Sequence, residues 1–271
     1  MGFAAARLNP SYDLMTNPTR IEIIGVPGVP LVKPGDDLAA LMATALEQAA
    51  LRPVAGDIVV VAQKIVSKAE DRFVDLATVE PSARARALGA EIGKDPRLVE
   101  VILGESKRVV RQRHHVLIVE HRLGFVMANA GVDHSNVGAP DGRERVLLLP
   151  RDPDGSADAL RRRLSEHFGC AVAVIINDSF GRPWRRGTAG VAIGAAGLPS
   201  VIDLRGRPDL FGQTLQTSIV GFADEIAAAA SAVMGQAAEG MPVVLVRGLG
   251  WSDPPSPAGA LVRPAEEDLF R

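Results

Sequence analysis

Two stretches of the chain set an acid beside hydroxyl and carboxamide groups at the mouth of an apolar run. Asp133 lies in "NAGVDHSNVG", Asn129 to Gly138, directly after "GFVMA"; Asp178 lies in "NDSFGRPWRRG", directly after "AVAVII". Two carboxylates about 4 Å apart at an effective dielectric of ~20 repel by roughly 4 kcal/mol, so if they converge they need a cation or a shared proton. Oxygen donors suit Mg²⁺ or Mn²⁺, hard ions that usually keep water and phosphate oxygens in their shell. Taken singly, either acid is read equally well as closing its own turn through a side-chain hydrogen bond.

Other polar groups cluster in the same way. "QKIVSK" follows an apolar run and reads as a polar turn; Lys64 and Lys68, four apart, share a face only if that segment is helical. Lys68 could hold a phosphate or simply lay its stem along the surface. Arg182, Arg185 and Arg186, with Trp184 among them, fit recognition of phosphate or carboxylate, or else a solvated charge run. Gln236 offers a further oxygen in the loop "MGQAAEGMP", which also reads as a plain helix stop at Gly235. His114 and His115 are expected to start a strand, His121 to sit in a turn and His167 to end a helix, all structural places; His134 stays open. Cys170, the only cysteine, opens an apolar run and reads as a small buried hydrophobe. It rules out an intrachain disulfide or a cysteine-cluster metal site. Walker A, dinucleotide glycine, HExxH and GxSxG patterns are absent.

The elements that position these groups mix strands and helices without a clean βαβ alternation. With 271 residues, the chain can bury roughly three quarters of its unfolded surface. At 47 % apolar and 23 % charged it has the composition of a globular protein. A net charge of -2 with interspersed signs gives no global field for nucleic acid or an anionic membrane, so neither is an expected partner. No apolar run approaches the ~18 residues of a membrane span, and no signal peptide pattern is visible, so a reducing cytoplasm is expected. Residues 1–20 read as a loose N-terminal arm, and 21–271 as one domain. Helices are expected over "DDLAALMATALEQAA", with acids in its first turn, over "PSARARALGAEIG" and "DPRLVEVILGES", over "SADALRRRLSEHFG" capped by Ser156 and stopped by Gly169, and over "DEIAAAASAVMG". The fold is expected to start near "RIEIIGVPGVPLV", and strands are expected at "IVVVA", "HVLIVE", "GFVMANA", "AVAVII", "PSVIDL" and "PVVLVRGL". The fold class is therefore mixed α/β, or α+β.

Taken together and in order, "VPLVKPGDDL", "QKIVSKAED", "NAGVDHSNVG", "NDSFGRPWRRG" and "MGQAAEGMPVVLVRG" resemble the coenzyme F-420-0:L-glutamate ligase family, over about Ile21 to Gly250. The resemblance implies a distinctive mixed α/β fold that forms an intertwined homodimer. It implies GTP and two divalent ions, Mg²⁺ or Mn²⁺, with K⁺ as a further candidate ion. L-Glutamate would be joined to the lactyl carboxylate of coenzyme F-420-0, with later glutamates entering through γ-links. By position, Asp133 and Asp178 would hold one ion, and Ser179 and Gln236 a second. Val29, Pro30, Leu31, Val32, Gln63, Lys68, Asn136 and the loop Met234, Gly235, Gln236, Ala237, Ala238, Glu239, Gly240 and Met241 would hold the nucleotide. Arg182, Arg185 and Arg186 are candidates for substrate. Three positions depart from the family's pattern: Gln63 where serine is common, Ser179 where threonine is common, and Asp71 where glycine is common. Some relatives carry a C-terminal flavin-binding, nitroreductase-like domain; here "RPAEEDLFR" stands about where it would begin, so reductase activity is not expected.

The implied chemistry is the activation of a poor electrophile. The γ-phosphoryl group would pass to the carboxylate, and the amine of glutamate would attack the resulting acyl phosphate, with the protein supplying positioning and charge neutralisation. Two rival readings use the same residues: a metal-dependent phosphohydrolase, and a nucleotide-sensing module without catalysis.

Overall fold

The computed structural model describes residues 20–137 and 142–268. The expected N-terminal arm lies outside them apart from Arg20, as do Gly138 and the last three residues of "RPAEEDLFR". In chain order the elements are β1 (Glu22–Gly25), α1 (Leu38–Gln48), β2 (Ile58–Ala62), α2 (Gln63–Ala69), β3 (Phe73–Asp75), α3 (Ala83–Ile92), α4 (Pro96–Gly104), β4 (Ser106–Arg113), β5 (Val116–His121), β6 (Val126–Ala128), β7 (Arg145–Leu147), α5 (Pro153–Phe168), β8 (Ala173–Arg182), β9 (Arg185–Ala196), β10 (Ile202–Asp203), β11 (Ile219–Val220), α6 (Phe222–Met234) and β12 (Val243–Arg247). The mixed α/β class expected from sequence is the one found. Among the described residues no helix is long and apolar enough to cross a membrane.

A five-stranded sheet, ordered β1-β12-β2-β8-β9, forms the centre. Only β2 and β8 run parallel; the other neighbours are antiparallel. Alternate residues of β2 explain its unbroken apolar run, since both faces are covered. Val59 and Val61 join Val174, Ile176 and Leu245 beneath α1 and α5, while Ile58 and Val60 join Ile175, Val244 and Val246 beneath α6. Between Ile176 and Asn177 the β8–β9 register slips, Ile176 facing Gly194 and Asn177 facing Ala192, so β9 carries one extra residue. Such a bulge re-aims the side chains beyond it. A smaller core, built from Ala85, Ile92, Val99, Ile102, Leu117 and Val119, joins α3 and α4 to the sheet β4-β5-β6.

Several expectations are corrected. "QKIVSK" is not a polar turn but helix α2, which leaves β2 with no intervening loop. Ile65 and Val66 are buried in the core, and Gln63 Nε2 donates to the Ser67 hydroxyl one turn on at 2.7 Å, so these polar residues are housed inside a helix. "NDSFGRPWRRG" is not a loop after a strand: β8 continues through Arg182, because β9 pairs with it as far as Arg182 and Arg185. The strand expected at "PSVIDL" shrinks to Ile202 and Asp203. His114 and His115 lie in the turn between β4 and β5 and do not start a strand; His115 has φ 63°. Helix α5 starts at Pro153, capped by Asp152, whose carboxylate accepts from the Gly155 N–H at 3.1 Å; Ser156 is already inside the helix. Asp37 is the N-cap of α1 and not a first-turn acid. Gly169, with φ 68°, stops α5 as expected.

One charged joint binds the small lobe to the sheet. Glu105 Oε2 accepts from Arg72 at 3.1 Å and Arg122 at 3.0 Å, while buried His121 Nε2 lies 3.5 Å away. Burial works to raise the Glu105 carboxyl, but His121 and the two guanidinium groups overcome it and hold it at about 2, below its ordinary 4.5. A depressed carboxyl stabilises the fold above its unfolded value and loses that contribution as pH falls from 4.5 towards 2. Glu105→Gln is therefore expected to cost on the order of 3 kcal/mol near neutral pH. The difference from wild type should shrink as pH falls below 4.5 in urea unfolding; a difference constant with pH would contradict this role.

Candidate active site

The chemistry-bearing residues meet where β8 emerges from the core, at the edge of the sheet. Successive side chains of a strand point to opposite faces. Asn177 and Ser179 turn towards the end of α6: Asn177 Nδ2 lies 3.4 Å from Met234 Sδ, and the Ser179 hydroxyl donates to Gln236 Oε1 at 2.8 Å. Phe180 turns the other way and packs edge-on against Phe125. Asp178 shares that second face, where it feels the charges of Asp133 and Lys64.

Asp133 reaches the same place from a different part of the chain. Its backbone forms an isolated bridge with Leu147 of β7, with N–H to O distances of 2.9 Å in both directions, which fixes the loop after Asn129–Gly131. Its Oδ1 lies 3.1 Å from Lys64 Nζ. Burial raises the Asp133 carboxyl, and the charges of Lys64 and Lys68 work against that. Asp178 keeps some residue surface open to solvent. Its carboxyl is nevertheless pushed up to about 7, first by burial and then by the charge of Asp133; the Ser179 N–H at 2.7 Å and Lys64 pull it down. The two acids thus converge closely enough for the charge of Asp133 to oppose the ionisation of Asp178, with the Lys64 ammonium paired to Asp133.

A hydrogen-bonded chain links the segments expected to hold a nucleotide. Lys68 Nζ donates to the Asn136 carbonyl at 2.7 Å, and Asn136 Nδ2 donates to the Ala237 carbonyl at 3.1 Å. Burial, and then the charge of Lys64, lower the Lys68 ammonium from its ordinary value. The loop after α6 leaves the helix at Gly235, with φ 73°, and folds back as the Glu239 carboxylate accepts from the Ala237 N–H at 2.8 Å. Met241 lies over Gly25, where any Cβ would come within 2.8 Å of its Cγ. Gln63 is buried with Oε1 unpartnered. Between β1 and α1, Val32 is buried in the core and Leu31 is exposed, with Val29 packed against the core and Pro30 at the surface.

Not every candidate is brought to this centre. Arg182, Arg185 and Arg186 stand exposed at the tip of the β8–β9 ribbon, where Trp184 turns with φ 56°; among the described residues no carboxylate lies within ion-pair distance of them. His134 is exposed, 4.0 Å from Glu144. Sequence reasoning assigned no role to two residues that matter. Lys64 bridges to Asp133, and the only signal was its four-residue spacing from Lys68. Ser231 accepts from Gln236 Nε2 at 3.0 Å and so turns Gln236 Oε1 towards Ser179. Asp71 holds φ 52°, the left-handed region, so glycine is the better fit at that position.

The donors fit a divalent cation of the hard class. All are oxygens, two of them carboxylates that strain against each other without a divalent charge between them. Among the described residues no group of three or more His, Cys, Asp or Glu side chains gathers to hold an ion alone, so water or ligand oxygens would complete the shell. Because Asp133 and Asp178 share one face of β8 while Ser179 and Gln236 meet on the other, the oxygens fall into two pairs.

The site is thus an oxygen-lined acidic centre with lysines beside it and a glycine-hinged loop, carried on a mixed α/β frame. The family model described as F420-0:Gamma-glutamyl ligase matches residues 28–248, and the chain belongs to that family. It is 50 % identical over 253 residues to the coenzyme F420:L-glutamate ligase of Methanothermobacter thermautotrophicus, covering 93 % of this chain and 99 % of the relative. To the coenzyme F420:L-glutamate ligase of Methanopyrus kandleri it is 49 % identical over 244 residues, 89 % of this chain and 93 % of the relative. To that of Archaeoglobus fulgidus it is 43 % identical over 252 residues, 93 % and 97 % respectively.

Proposed function

We propose that this chain is a GTP- and divalent-metal-dependent ligase that joins L-glutamate to the lactyl carboxylate of coenzyme F-420-0 and then adds further γ-linked glutamates. The observation that carries the reading is the family match over residues 28–248, a span that holds every member of the acidic centre and of the Lys68–Asn136–Ala237 chain. Asp133 and Asp178 would hold one Mg²⁺ or Mn²⁺ ion, with Ser179 and Gln236 holding another. Bound there, the ions would neutralise charge on the triphosphate.

The protein's own part is positioning. Lys68, Asn136 and the loop Gly235–Met241 would cradle the nucleotide, and the glycines let backbone approach its phosphates. A carboxylate oxygen of the acceptor attacks the γ-phosphorus and GDP departs. The neutral amine of glutamate then attacks the acyl carbon, inorganic phosphate leaves, and one proton passes to solvent. No side-chain nucleophile is required, in keeping with a lone cysteine whose Sγ lies 3.4 Å from the Pro53 carbonyl.

Mass spectrometry of the deazaflavin after incubation with GTP, Mn²⁺ and glutamate tests the reading. The expected products are a deazaflavin extended by glutamate, with one GDP per amide. GTP consumed with no amide would favour a phosphohydrolase, and GTP bound but intact a sensing module. A homodimer is part of the same proposal; exposed Trp184 and Phe211 are apolar surface that it could cover. A monomer by light scattering at micromolar concentration would contradict it.

A further inference from the structure

Lys64 has no part in the proposed reaction, yet its ammonium forms an ion pair with the acidic centre. It stands on the second residue of α2, one turn before Lys68 and on the same face, and its Nζ lies 3.1 Å from Asp133 Oδ1. The backbone of Asp133 is clamped by the two-way bridge to Leu147, so the acid has little freedom to move away. Lys68 is engaged elsewhere, on the Asn136 carbonyl at 2.7 Å. The charge of Lys64 also reaches Asp178. Among the described residues it is thus the one ammonium that ion-pairs with Asp133 and whose charge also bears on Asp178.

We infer that Lys64 is a built-in counter-cation of the acidic centre, competing with the divalent ion for Asp133 and handed over to a phosphate of the incoming nucleotide when the ion binds. An ion seated on Asp133 would sit at about 2 Å from a carboxylate oxygen, against an ammonium already close to the same group. Like charges so placed repel strongly in a half-buried site. Lysine has the means to yield, because its charge rides on a flexible four-carbon stem and can rotate to a new acceptor. A triphosphate held by the neighbouring Lys68–Asn136–Ala237 chain is such an acceptor. The consequence is coupling. Metal alone must evict the ammonium with nothing to receive it, whereas metal with nucleotide evicts it onto a phosphate, so each ligand tightens the other.

This rests on the metal reading of Asp133 and Asp178, and the experiment separates the two. Mn²⁺ binding is measured by electron paramagnetic resonance, without acceptor or glutamate, alone and with a non-hydrolysable GTP analogue. For Lys64→Met the expected result is Mn²⁺ binding without nucleotide at least ~10-fold tighter than wild type, with a smaller gain on adding the analogue. Lys64→Arg keeps the charge and should stay near wild type. Wild type that binds Mn²⁺ with the analogue, beside a Lys64→Met variant that gains nothing without it, overturns the inference alone. Wild type that binds Mn²⁺ under neither condition removes the metal reading together with the inference. Lys64→Gln, neutral but polar, repeats the measurement if Lys64→Met does not fold. Collapse of both neutral variants by circular dichroism would make Lys64 a structural ion pair and overturn the inference.

Discussion

Asp133→Asn and Asp178→Asn are each expected to lower glutamate addition by a factor on the order of 10² or more while leaving the fold intact. Either substitution keeps the shape of the side chain and removes one negative charge from the place where a cation would sit. As mere turn formers the acids would matter little, on the order of 1 kcal/mol or less on substitution. Their surroundings make the two variants differ in stability. Asp178 is opposed by burial and by Asp133, so Asp178→Asn relieves both and should melt no lower than wild type without metal. Asp133 has Lys64 at 3.1 Å, so Asp133→Asn gives up that pair and leaves Lys64 facing Lys68 across one helical turn. A modest fall in its melting temperature is expected. Melting curves with and without Mn²⁺ and GTP, set beside turnover, check both halves. Near-normal turnover in either variant would take that acid out of the site, and unfolding of both would return the acids to structural roles.

What could be read from the sequence depended on whether burial or backbone pairing decided the local structure. Where burial decided it, the pattern was plain. The run "IVVVA" is buried on both faces of the central sheet, and α6 follows its alanine spacing to a glycine stop. Where pairing decided it, polarity misled. β8 runs through Asp178, Ser179 and Arg182 because β9 offers it hydrogen bonds, a partner that no local pattern reveals. Helix α2 was hidden because Gln63 and Ser67 look like turn residues and hydrogen-bond to each other only once the helix exists. β4, "SKRVVRQR", is mostly exposed and lacks apolar alternation, so it left no strand signal. The candidate site shows the same division. Asp133, Asp178, Asn136 and Gln236 stood out by type and flanking glycines. Lys64 and Ser231 act through tertiary contacts at 3.1 Å and 3.0 Å, between segments far apart in sequence or across a helix end.

Removal of divalent metal is expected to abolish glutamate addition altogether, with Mn²⁺ or Mg²⁺ restoring it and Zn²⁺ doing so poorly. The donor set is the reason: carboxylates, a hydroxyl and a carboxamide, with no thiolate and no imidazole among them, match hard ions that keep several water or phosphate oxygens. The metal-free protein should also carry a pH-dependent burden. Asp178 is raised from 3.8 to about 7, so between those values the unfolded chain ionises while the folded carboxyl stays protonated. Stability on that account falls as pH rises from about 4 to about 7 and then levels off. A divalent ion requires the ionised form, so its binding releases a proton below that range's upper end and tightens as pH rises. The rise in melting temperature on adding Mn²⁺ should therefore be larger at pH 8 than at pH 6, about one unit either side of the Asp178 value of about 7. Scanning calorimetry of chelated protein at both pH values, with and without Mn²⁺, reads this directly. Full activity in excess chelator, or a larger Mn²⁺ effect at the lower pH, would show that the acids do not hold the ion.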